Sequence, residues 1–145
     1  MDWKREAMDK LRQYEARRSS LERTAAEIHR LEADLTRIRS ASADGTPVTG
    51  GTNTRENMLV GNIACREELA RARQDTVRWL AVMDSALEEL SKEERLILDR
   101  FYIHRAKGYV IKLCEELNLE QSQVYARKDA ALRRFTLLLY GATET

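Results

Sequence analysis

The sequence predicts an all-α protein: a long antiparallel helical hairpin, coiled-coil-like in character, followed by a three-helix helix-turn-helix domain. Three observations carry that expectation. The 145 residues are 34% charged and 43% hydrophobic with one proline and six glycines, and aromatics make up only 6%, too few for a typical sandwich or barrel. Apolar residues recur at helical spacing through most of the chain. Finally, the stretch Tyr109–Tyr140 holds two helical patterns broken only at Asn118-Leu119, with hydrogen-bonding side chains crowded at the start of the second.

From about Asp2 to Arg39 a single helical pattern runs without Gly or Pro. Leu21, Ile28 and Leu35 are spaced by seven, as are Leu31 and Ile38, which makes a seam of heptad type. Met8, Leu11 and Tyr14 continue an apolar stripe toward the amino terminus, where Arg17 and Arg18 interrupt the heptad. A narrow seam on an isolated helix is marginal in water, so this helix needs a partner. Residues 40–53, SASADGTPVTGGTN, hold three glycines and the proline and read as a flexible connection. Thr54 is the expected N-cap of the next helix, about Arg55 to Leu90, in which Leu59, Ile63, Leu69, Val77, Leu80, Met83, Leu87 and Leu90 keep helical period. The two helices are expected to fold back on each other, with Trp3 and Trp79 as packing anchors. Leu21, Ile28, Leu31, Leu35, Ile38, Leu69, Leu80 and Leu87 are the candidate residues for oligomerisation.

Ser91 followed by Glu94 has the spacing of a capping box, and Leu96, Ile97, Phe101 and Tyr102 give the helix behind it a core face. After Gly108, Val110, Leu113, Cys114 and Leu117 form one apolar stripe. Asn118 then tolerates the positive φ of a tight turn. The last helix starts near Glu120 and buries Val124, Ala131, Leu132 and Phe135, leaving Gln121, Ser122, Gln123, Tyr125, Arg127 and Lys128 to face a partner. One small core is expected from Leu96, Ile97, Phe101, Val110, Leu113, Leu117, Leu119, Val124, Leu132 and Phe135. The domain division is therefore 1–90 for the hairpin, serving oligomerisation or partner binding, and 91–141 for the helix-turn-helix domain.

Charge follows this division. The whole chain carries a net +1, but Ser91 to Gly141 has ten Lys/Arg against seven Asp/Glu, whereas Met1 to Leu90 has fifteen against sixteen. A local basic excess on such a motif is the weak electrostatic footprint of a small DNA reader, whose second helix lays its first residues against base edges in the major groove. Cys65 and Cys114 lack CxxC spacing or a nearby His/Cys set and are expected to be free, mostly buried thiols. The amino-terminal MDWKREAMDK has no signal-peptide core and no stretch approaches the roughly 18 apolar residues of a spanning helix, so a soluble, cytoplasmic protein is expected. His29 and His104 stand alone, the adjacent pairs Glu93-Glu94 and Glu115-Glu116 read as surface charge, and no phosphate loop or nucleophile elbow occurs. The expectation is a non-enzyme without cofactor or metal.

ELSKEERLILDRFYI followed by LCEELNLEQSQVYARKDAALRRF is similar in layout to the DNA-binding carboxy-terminal region of bacterial sigma factors, down to the Ala-Leu-Arg-basic-apolar run at Ala131 to Phe135. Joined to a helical amino-terminal half, it resembles the phage-encoded ArpU/RinA-type regulators that activate late, packaging and lysis genes. The resemblance covers about fifty residues, a third of the chain. It implies base contacts from Gln121, Ser122, Gln123 and Tyr125, the two glutamines being suited to adenine. It also implies phosphate contacts from Arg105, Lys107, Arg127, Lys128, Arg133 and Arg134. Sigma factors usually carry a basic residue at the place of Gln121 or Tyr125, so a reader of this kind needs a second copy or polymerase to bind well. The expected partners are double-stranded DNA, a second copy in a homodimer or higher homo-oligomer, and RNA polymerase. A small terminase-like DNA packaging subunit, or a structural adaptor acting through the hairpin, are the alternatives.

Overall fold

The computed structural model describes residues 1–43 and 51–143, with the side chains of all of these except 41–43 and 51–53. The protein is all-α, and among the described residues there is no strand. Helix α1 is Trp3–Ala43, α2 is Gly51–Glu88, α3 is Lys92–Leu98 with a one-turn π-helix Asp99–Ile103 directly behind it, α4 is Tyr109–Leu117 and α5 is Gln121–Tyr140. At both ends of the flexible connection expected over 40–53 the chain is helical, because α1 extends to Ala43 and α2 begins at Gly51. The rest of it, residues 44–50, lies outside the described residues. Thr54, expected as an N-cap, lies inside α2 instead.

The chain divides into two compact units, and the division cuts through both long helices. One unit is Ser19–Arg78. Within it α1 and α2 run antiparallel. Arg73 Nε donates to the Leu21 carbonyl at 3.3 Å, and the Asn62 amide donates to the Leu31 carbonyl at 2.8 Å. Asn62 is buried, and its own carbonyl oxygen accepts from Arg66 Nε at 3.2 Å, so both ends of this amide are satisfied. Leu31 and Leu35 are buried here. The partner helix that the heptad seam requires is the chain's own α2, and Leu21, Ile28, Ile38 and Leu69 are half-buried. Leu80, in the other unit, is buried and Leu87 half-buried. Leu31, Leu35 and Leu80 are therefore not available as an oligomerisation surface. Cys65 is exposed, which corrects the expectation of a buried thiol, and Cys114 is half-buried; both are free.

The other unit, Met1–Arg18 with Trp79–Thr145, holds the start of α1, the end of α2 and everything after it. Its contacts do not respect a boundary at residue 91. Ala7 and Leu11 of α1, both fully buried, pack with Met83 and Ala86 of α2, with Leu90 and Leu98, and with Ala131, Leu132 and Phe135 of α5. Trp3 lies against the Tyr140 ring at 4.8 Å, and Trp79 packs on the same cluster with Arg17 over its ring at 4.5 Å. Tyr14 donates to Asp84, whose carboxylate also accepts from Arg18 at 2.9 Å, so a polar clasp flanks the apolar contact. Burial pushes the Tyr14 phenol above its ordinary range, helped by the Asp84 hydrogen bond. A second cluster joins Ile97, Phe101, Leu113 and Val124, with Leu96, Val110, Leu117 and Leu119 at its edge. The single core expected from ten residues is in fact two, and Leu132 and Phe135 belong to the one that includes α1.

Caps and turns follow the residue types. Ser91 caps α3 and Glu94 reaches back to the Ser91 N–H at 3.0 Å, a complete capping box. The π-turn closes through the His104 N–H to the Asp99 carbonyl at 2.7 Å. Gly108, at φ 73°, precedes α4, and Asn118, at φ 53°, ends it, with the N–H groups of Asn118 and Leu119 both donating to the Cys114 carbonyl. Leu119 packs under the turn.

Candidate nucleic-acid interface

The site is built on α4, the Asn118 turn and the first turns of α5. α5 begins with a second reciprocal cap: the Glu120 carboxylate accepts from the Gln123 N–H, and the Gln123 side-chain oxygen accepts from the Glu120 N–H at 3.0 Å. Val124 points inward and is fully buried, which fixes the helix on the cluster around Phe101. Gln121 and Ser122, just before it, are exposed, and neither side chain makes a hydrogen bond or ion pair among the described residues. Gln123 is exposed too, but its oxygen is held by the cap.

Phe101 is the aromatic hub beneath this surface. Its ring meets Tyr109 edge-on at 5.0 Å and Tyr125 edge-on at 5.7 Å. Lys128 lies over both Phe101 and Tyr125, at 5.6 and 5.8 Å, and pairs with Asp129 at 2.7 Å. Burial alone would lower the Lys128 pKa; the Asp129 hydrogen bond and the nearby Tyr102 and Tyr125 outweigh it and hold the ammonium above its ordinary value. Arg105 stacks over Tyr109 at 4.9 Å. Tyr125 is therefore half presented and half held, with its orientation set by Phe101. Sequence spacing alone did not reveal this hub, because Phe101, Tyr109 and Tyr125 come from three separate elements.

The six candidate phosphate contacts divide. Lys107 and Arg133 are exposed and make no described ion pair. Arg105 and Lys128 are positioned on aromatic rings, Arg105 exposed and Lys128 half-buried. Arg127 pairs with Glu93, and Arg134 pairs with Glu94 at 2.6 Å while donating to the Glu89 carbonyl at 3.2 Å. These two arginines belong to the packing of α5 on α3, and their charge is already partnered. Glu93 and Glu94 are correspondingly more than surface charge. Ser91 and Arg134 hold the Glu94 carboxyl below its ordinary range against the opposing effect of burial. Two exposed side chains on α4 escaped the sequence reading: Lys112, and Ile111 at 67% exposure, which lies off the apolar stripe of its own helix.

His104 does not stand alone. Its Nδ1 lies 2.7 Å from Asp99 and its Nε2 lies 3.3 Å from Glu15 of α1, and the Asp99 hydrogen bond raises its pKa above the ordinary imidazole value. Among the described residues no group of His, Cys, Asp and Glu is arranged to hold a metal ion, and no helix is long and apolar enough to cross a membrane.

No family model, curated protein or solved structure matches the chain.

Proposed function

We propose that the protein is a DNA-binding transcriptional regulator, of the phage or prophage ArpU/RinA kind, that lays the amino-terminal end of α5 into the major groove of double-stranded DNA. The observation that carries this reading is the conjunction at Asn118. A short helix ends in a left-handed turn, a second helix starts three residues on with Gln121 and Ser122 exposed, and an inward Val124 fixes its angle. Phosphate contacts position such a helix and base contacts specify its site. Arg105, Lys107, Lys112 and Arg133 are the exposed cations suited to the first task, with Lys128 beside them. Acting in pairs, two such readers gain affinity that one lacks, because the second binding event becomes intramolecular.

A fluorescence anisotropy titration with a labelled duplex from a late-gene promoter region tests the reading. The expected result is binding that weakens steeply as salt rises, through counterion release. A variant with Gln121→Ala, Gln123→Ala and Tyr125→Ala is expected to bind markedly more weakly while keeping the wild-type circular dichroism spectrum. Equal binding by this variant would place the contact surface elsewhere.

A further inference from the structure

Within the unit Ser19–Arg78 the packing of α1 on α2 is thin: among its described side chains, Leu31, Leu35 and Asn62 alone are buried. Along one flank the two helices leave an open groove, with Leu31 and Ile38 of α1 on one side and Met58, Gly61 and Cys65 of α2 on the other. The α2 wall continues at helical spacing as Met58, Gly61, Ala64, Cys65, Glu68 and Ala72, and all six are exposed. One of them is charged. The adjoining face of the same helix carries Glu56, Glu67, Arg71, Asp75 and Arg78 around Val60, as a solvated surface does. Met58, by contrast, is apolar and 54% exposed.

Gly61 stands in the middle of this wall. Glycine weakens a helix interior, and a Cβ built there meets nothing within 4 Å, so no described neighbour in the chain requires its small size. What it permits is the close approach of a backbone from outside.

The wall is self-complementary about Gly61. A two-fold axis at that residue runs a second α2 antiparallel across the first and sets Met58 against the small Ala64 and Cys65 of the partner. The same axis brings Glu68 level with the partner's Thr54, so no like charges meet. Glu68 makes no ion pair among the described residues, while Arg37, on the α1 side of the groove, shares the Asp34 carboxylate with Arg30. Because Asn62 bonds to the Leu31 carbonyl, the antiparallel register of the hairpin puts Arg37 level with Glu56, about 3 Å along the axis from Thr54 at about 1.5 Å per residue. Each Glu68 therefore reaches the partner's Arg37. With axes about 8–10 Å apart, the hairpin face beside 54–78 measures about 20 by 37 Å, or about 700 Å², close to the roughly 800 Å² that each partner gives to a standard stable interface.

We propose that this groove is the interface of a homodimer, in which two copies pack α2 against α2 with Gly61 at the crossing point. It is a different surface from the heptad seam, which α2 occupies within each chain, and it stands independently of the DNA-binding reading.

The test is the mass of the full chain by sedimentation equilibrium over a micromolar concentration series. The wild type is expected at twice the 16.8 kDa of one chain. Gly61→Gln supplies a helix-favouring residue that fills the crossing point, and is expected to raise the dimer dissociation constant on the order of ten-fold or more with the helical circular dichroism kept. Glu68→Arg is expected to weaken the dimer a few-fold at low salt, and Glu68→Arg combined with Arg37→Glu to recover it. Gly61→Cys with Cys65→Ser is expected to give, on mild oxidation, a covalent dimer whose disulfide maps to residue 61. A wild type that is monomeric across the series overturns the inference. So does an assembly of any size that Gly61→Gln leaves intact, or a Gly61→Cys chain that does not link to its own copy.

Discussion

Among the described residues, nine buried ones drawn from α1, α2, α3, α5 and the α2–α3 turn meet in the cluster of Phe135; in that of Phe101 four do, from α3, the π-turn, α4 and α5. Helix α5 contributes to both. Its second half gives Ala131, Leu132 and Phe135 to the larger cluster, and its first half gives only Val124 to the smaller. The inequality separates holding from presenting. The second half of α5 is gripped by residues from the other end of the chain. The first half rests on an aromatic hub and leaves its remaining faces to solvent. Fewer buried apolar contacts also mean a lower cost of local opening, so α4 and the start of α5 are the part of this unit best able to adjust to a bound surface.

The sharpest way to break this comparison is Leu11→Ala. If the larger cluster holds the unit together, removing a fully buried leucine from α1 is expected to cost about 2–5 kcal/mol. That loss should appear in denaturant melts followed by Trp fluorescence. A boundary at residue 91 that made 91–141 self-sufficient would instead leave the melting of α3 to α5 unchanged. A cost below about 0.5 kcal/mol, the range of ordinary surface changes, would show that α1 does not belong to this core.

Legibility in the sequence tracks the range of the contact. The helices and their turns were readable because they depend on neighbours a few residues away: the Ser91 and Glu94 cap, the left-handed Asn118 and the inward Val124 all lie where local pattern puts them. Periodicity identifies a buried face and is silent on what buries it. The Leu31 and Leu35 seam suits a second helix of the same chain and a second copy equally well, and it is α2 that lies on it; nothing in the pattern assigns Leu11 to the cluster of Phe135. The candidate interface divides the same way. Gln121 and Ser122 are off the apolar stripe and exposed, as spacing implies. The partnering of Arg127 and Arg134 with Glu93 and Glu94 depends on how α3 packs on α5, which no local pattern records.

A smaller effect is expected at the junction between the clusters, where α3 begins. Ser91→Ala removes the side chain that accepts from the Glu94 N–H at 3.1 Å and leaves the reciprocal half of the cap. The expected cost is about 1 kcal/mol. Glu94 holds its proton less tightly in the fold than in the open chain, so its contribution is present above the ordinary carboxylate pKa and is lost as pH falls through the lowered folded value. Part of the Ser91→Ala deficit should therefore vanish in strong acid, where Glu94 is protonated in both proteins. A deficit independent of pH would separate the helix cap from the carboxylate's titration.

The smallest expected effect asks whether charge, beside packing, ties α1 to the π-turn. His104 bridges Asp99 and Glu15, while Arg100 contacts the same Asp99 at 3.3 Å and Glu116 at 3.6 Å. The imidazole pKa is raised chiefly by the Asp99 hydrogen bond and further by Glu15. A raised pKa stabilises the fold fully below the open-chain value of 6.5, and that stabilisation disappears as pH climbs through the raised folded value. The His104 side chain is 55% exposed, so solvent screening keeps the contribution within the roughly 0–1 kcal/mol of surface ion pairs. His104→Gln keeps a hydrogen-bonding side chain without the titration. Melts from below pH 6.5 upward should show the wild type losing a small increment that the variant lacks from the start, with the two curves converging at alkaline pH. Because Leu11 and Ala7 stay buried in both proteins, neither is expected to release α1. Parallel curves across the range would mean that packing alone holds this contact and that the Glu15 to His104 bridge adds nothing to it.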